Sequence, residues 1–96
     1  MNPDLLARQQ ELREDLEKSR VQFLLTELDT AMTFCGVAKA STDPEKTKRN
    51  IGNAWKGYDT ALRLARNAHL DQRTKNEFDD KVARVRSMLR ELGQDV

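Results

Sequence analysis

The sequence predicts an all-α fold, an antiparallel three-helix bundle with an overlong first helix, and three observations predict it. Apolar residues recur at alternating threes and fours through three long segments, the spacing of one helical face. Beta-branched residues are sparse, and only two prolines and four glycines punctuate 96 residues, each proline placed where a helix would open. Hydrophobic residues make up 38% of the chain and charged ones 34%, a balance that suits a small helical bundle better than a sandwich or barrel. The predicted helices cover about 3–40, 44–69 and 72–92, within a single helical domain over 1–96.

The first helix opens at "NPD". Asn2 suits the N-cap, Pro3 the first helical position, and Asp4 the positive end of the dipole. Leu5, Leu12, Leu16 and Phe23 follow at 7-4-7 spacing, and Leu24, Leu28, Ala31, Cys35 and Ala38 continue the pattern at fours and threes. Gly36 costs about 1 kcal/mol against alanine. It is read as a close-packing position or a weak point, in a helix that runs on to about Ala40.

"STDPEK" sets the next boundary, with Asp43 as N-cap and Pro44 as the first helical residue. The second helix gathers Ile51, Ala54, Trp55, Tyr58, Ala61, Leu62, Ala65 and Ala68 on one face and is expected to end near His69. Trp55 and Tyr58 are placed in the core, with partners for their polar atoms. Gly52 and Gly57 flank that face, where they would let another helix approach or merely soften this one. The third helix starts at Asp71, or at Thr74 with Glu77 closing a capping box. Phe78, Val82, Val85, Leu89 and Leu92 form its apolar face, and Gly93 stands ready for the left-handed C-terminal position.

Within the second helix, "IGNAW" looks like the middle of the first helix of a tetratricopeptide repeat, and "GYDTAL" like its turn and second helix. Tyr58, Ala61, Leu62 and Ala68 match that family's packing positions. Residues 51–68 therefore resemble a tetratricopeptide-like hairpin, or the second helix of the three-helix domains that bind peptide helices of trafficking proteins. The resemblance implies a module that binds a partner helix or peptide. The sequence departs from the family at several points. About three residues are missing between Ala54 and Tyr58, Ala65 stands where a bulky residue belongs, Arg73 where proline is frequent, and no second copy follows. The missing residues leave Ile51, Trp55, Tyr58, Leu62 and Ala65 as one unbroken stripe, so a single amphipathic helix is the simpler reading.

Lengths single out the amino-terminal segment. A helix over 3–40 is about 57 Å long and one over 44–69 about 39 Å, so an antiparallel arrangement leaves the first dozen or so residues unsupported. That overhang carries Leu5, Leu6, Leu12 and Leu16. Either the helix breaks near Glu17–Arg20 and the first piece folds back or stays mobile, or residues 1–17 form a dimerisation segment. The second alternative is preferred. Residues 1–43 hold eight acids and five bases, and residues 44–70 two acids and six bases, so helix one suits a position along helix two, within a chain or between chains. A homodimer is expected, with or without another protein partner.

Little else in the sequence suggests chemistry. His69 is the one histidine and Cys35 the one cysteine, so no metal-ligand set, disulfide scaffold or nucleophile–base pair is expected. The adjacent carboxylates at 14–15 and 79–80 point about 100° apart on a helix and do not pair. No glycine-rich phosphate loop occurs. Arg49, Lys56 and Arg63 recur every seven residues on helix two, a face suited to phosphate contacts. Without aromatic residues among them, and at a net charge of +1, nucleic acid is not the expected partner. No apolar run of 18 residues and no signal peptide is seen, which leads to the expectation of a cytoplasmic protein. The preferred reading is a non-catalytic interaction or assembly module. The alternatives are a tetratricopeptide-like peptide binder and a weak nucleic-acid-binding bundle.

Overall fold

The computed structural model describes residues 3–96 and contains three helices, α1 (Pro3–Ala40), α2 (Pro44–Ala65) and α3 (Gln72–Glu91). The expected N-cap at Asn2 lies outside the described residues. α1 is continuous, so the break considered near Glu17–Arg20 is not present: residues 8–20 include neither glycine nor proline to interrupt the helix. The helix also passes straight through Gly36, which is exposed and would meet nothing if it carried a Cβ. It is not a close-packing position.

The two later helices start where local chemistry places them. Glu45 N–H donates to Asp43 Oδ1 at 3.1 Å, with Pro44 occupying the position where no N–H is needed. Asp71, rather than Thr74, caps α3, accepting from the Thr74 N–H at 2.8 Å. α3 closes on Gly93 at φ 81°. There Gln94 N–H bonds Leu89 O and Gly93 N–H bonds Arg90 O, the paired bonds of a Schellman motif.

The end of α2 differs from expectation, at Ala65 rather than near His69. Arg66, Asn67 and Ala68 donate to the carbonyls of Arg63, Leu64 and Ala65, a run of three-residue steps that tightens the chain out of α-helix. His69 N–H then bonds Glu17 Oε1 on α1 at 2.9 Å. A tertiary hydrogen bond, and no local stop signal, draws the chain away from the helix axis.

α2 runs antiparallel to α1, and α3 turns back parallel to it. α3 packs mainly on α1 and barely meets α2. Three polar contacts fix the α1/α3 register at one offset, Glu17 with His69, Asp29 with Lys81 and Lys39 with Glu91. The core combines Leu24, Leu28, Ala31 and Cys35 of α1 with Ala54, Tyr58 and Ala61 of α2 and Phe78, Val82, Val85 and Leu89 of α3. α1 and α2 approach closely at Gly57, where an added Cβ would stand 2.9 Å from the Glu27 carbonyl oxygen. Gly52 has no such neighbour. Tyr58 is buried, and its hydroxyl accepts from Arg86 Nε at 2.6 Å. Trp55 is only half-buried and donates from Nε1 to Gln94 Oε1 at 2.8 Å. α2 passes through 54–58 without a turn.

The molecule is a rod, 62 × 24 × 17 Å, with a radius of gyration of 17.2 Å. A compact domain of this length would have about 12.5 Å. The excess comes from the first four turns of α1, which stand clear of α2 and α3: every residue from Pro3 to Leu16 is exposed.

Candidate interaction surface

Leu5, Leu12 and Leu16, the residues expected at an interface, all lie on this projecting part of α1. Phe23 joins them. Exposure along this stripe ranges from 51% at Phe23 to 62% at Leu12. Phe23 and Leu24 are neighbours in sequence, so their side chains leave the helix about 100° apart. Leu24 enters the core and Phe23 faces out. α1 therefore carries two apolar stripes, one over residues 24–38 that packs against α2 and α3, and one over residues 5–23 that stays more than half exposed.

The outer stripe follows alternating fours and threes as Leu5, Gln9, Leu12, Leu16, Ser19 and Phe23. This is the seam spacing of a two-stranded coiled coil. Extended along α1, it meets Thr26, Thr30 and Thr33 before Val37, so its apolar character stops after Phe23 and returns only at one residue. Leu6, half-exposed, leaves the helix about 100° from Leu5, in line with Leu24.

At its inner end the stripe runs into a groove of about 570 Å3 between α1 and the carboxyl end of α2. Leu16, Ser19 and Phe23 form one wall, Leu64 and Ala68 the other, and Arg20 and Arg63 edge it. The groove exists because α2 ends at Ala65, and the tightened chain that follows places Ala68 beside Leu64. Sequence reasoning missed Phe23 and Leu64 as parts of this surface. A signal for Phe23 was present, since two consecutive apolar residues cannot share one helical stripe.

The other residues singled out in the sequence are dispersed. Arg49, Lys56 and Arg63 are exposed along one side of α2, and only Arg63 reaches the groove. His69 is exposed in the α2–α3 connection, and Cys35 is sealed in the core at 1% exposure. Burial pushes the Cys35 thiol above its ordinary 9.0, which leaves little of the nucleophilic thiolate at neutral pH. No cluster of three metal-ligating side chains occurs among the described residues, and no helix among them is long and apolar enough to cross a membrane. No family model, curated protein or solved structure matches this chain.

Proposed function

We propose that the protein is a non-catalytic assembly module that pairs with a second copy of itself through the outer stripe of α1. The observation that carries this is the exposure of Leu5, Leu12, Leu16 and Phe23 in one line on a straight, projecting helix. Isolated surface leucines are ordinary, whereas a contiguous apolar stripe marks a contact surface. A lone helical projection of about fourteen residues is marginal in water, and pairing gives it the packing it otherwise lacks.

The magnitudes are sufficient. Fully burying one such side chain is worth roughly 1.5–3 kcal/mol. Two copies contribute four large side chains each from the seam, about half of whose surface is already covered. The gross gain is therefore roughly 6–12 kcal/mol, against an association cost of about 4–15 kcal/mol. The balance points to a reversible dimer. Cys35 is sealed in the core while His69 lies exposed in the α2–α3 connection, which supports the non-catalytic part of the reading.

The test is light scattering after gel filtration at micromolar concentration. The expected mass is about twice 11.1 kDa. Leu12→Asp should return it to a single copy while leaving the helical signal of the bundle in place, because Leu12 is exposed and lies outside the core cluster. A single-copy mass at every concentration overturns self-assembly and leaves the stripe to a partner helix of another protein, the reading that the tetratricopeptide-like residues of α2 also suggest.

A further inference from the structure

We infer that the second copy binds antiparallel, centred on residue 14, so that Leu5 and Leu6 of each α1 fill the α1/α2 groove of the other. The inference rests on the self-assembly reading and adds its direction, register and anchoring pocket.

In an antiparallel pair, seam residues meet across the twofold axis in pairs whose numbers share one sum. A sum of 28 sets Leu5 against Phe23, Gln9 against Ser19 and Leu12 against Leu16. Every apolar seam residue meets an apolar one, and the two polar residues meet each other. Moving the register by one heptad, to a sum of 35, sets Leu16 against Ser19 and Leu5 against Thr30. A further heptad sets Leu12 against Thr30 and Phe23 against Ser19. Only the first register pairs like with like. A parallel pair would also match each seam residue with itself, but it would stack Thr26, Thr30 and Thr33 as three successive polar layers. The antiparallel overlap ends at Phe23 and leaves all three threonines in water. Flanking charges decide little, because exposed pairs of this kind are weak.

The groove supplies the independent observation. Leu5 of the second copy arrives level with Phe23, at the groove's apolar wall. Leu6, next to it and about 100° round the helix on the side that carries Leu24, then faces the side where Leu64 and Ala68 of α2 lie. In a parallel pair Leu6 would lie far along the projection, where neither copy has an α2 to offer. The amino end of the second α1, the positive end of its dipole, also comes to rest beside the carboxyl end of α2, the negative end.

The test is disulfide trapping with two singly substituted chains, Gln9→Cys and Ser19→Cys, both at exposed positions. The unsubstituted protein, with Cys35 sealed in its core, is the control. Under a mild thiol oxidant, an equimolar mixture should give the mixed disulfide in at least about tenfold excess over either self-disulfide, because in this register identical positions lie about 15 Å apart along the axis. Leu6→Ala should weaken the dimer about tenfold. Predominant self-disulfides of Gln9→Cys overturn the direction. A dimeric mass with no disulfide from any combination overturns the register. Either result leaves self-assembly standing, whereas a single-copy mass throughout overturns both.

Discussion

Two glycines on neighbouring helices show how a residue's neighbours set its worth. Gly36 and Gly57 both sit inside a helix and carry the same propensity penalty. Gly36→Ala should raise stability by about 0.5–1 kcal/mol, since the added methyl meets open space. Gly57→Ala should lower it by about 1 kcal/mol despite the same propensity gain, since its methyl would stand 2.9 Å from a backbone oxygen of Glu27 and 3.3 Å from Ala31. Urea unfolding of the two variants, compared with the parent at one protein concentration, gives the opposite signs directly. Asp71 illustrates a titratable cap. Hydrogen bonds from the Thr74 backbone and then its side chain hold the Asp71 carboxyl below its ordinary 3.8. A lowered folded-state value means that the cap's contribution is fully present above pH 3.8 and disappears as pH falls through the lower value. The Thr74 amide resonance should therefore keep its native shift at pH 4.5 and move only on further acidification, together with the Asp71 carboxyl carbon.

Much of each element could be read from the chain because helix ends are local chemistry. Asp43–Pro44, Asp71 and Gly93 each act within four residues of themselves. The end of α2 could not be read in the same way. No glycine or proline marks it, and the chain leaves the axis to reach Glu17, 52 residues away. The outer surface of α1 was half-legible. Leu5, Leu6, Leu12 and Leu16 stood out through the length mismatch between α1 and α2, whereas Phe23 was hidden by running directly into the core series at Leu24. At this scale the proposed pairing makes the projecting part of α1 a helix whose order should depend on the second copy. Hydrogen exchange should protect amides 8–16 in the dimer and lose that protection in Leu12→Asp. Amides 24–38, held by the core, should stay protected in both.

For the whole molecule, the consequence is shape. A single copy is 62 Å long. The proposed antiparallel pair, centred on residue 14, would put the two Ala40 ends about 78 Å apart along the axis, with a bundle at each end and the paired projections between. Small-angle scattering should report a maximum dimension of at least about 80 Å that shortens toward 62 Å on dilution or in Leu12→Asp. Side-by-side parallel rods would thicken without lengthening.

By itself the sequence determined that there are three helices, where two of them begin, and that the first outruns the second. Periodicity and capping act over one or two turns, and helix length follows from a fixed rise per residue. Only the tertiary structure decided which side of α1 is inside. The apolar residues of α1 occupy two sides of the helix, and the choice between them depends on where α2 lies. Gly57 lets α2 press against Glu27 and Ala31, on the side that carries Leu24 and Leu28, so those residues are enclosed and Phe23, one residue away, is left facing outward beside the end of α2.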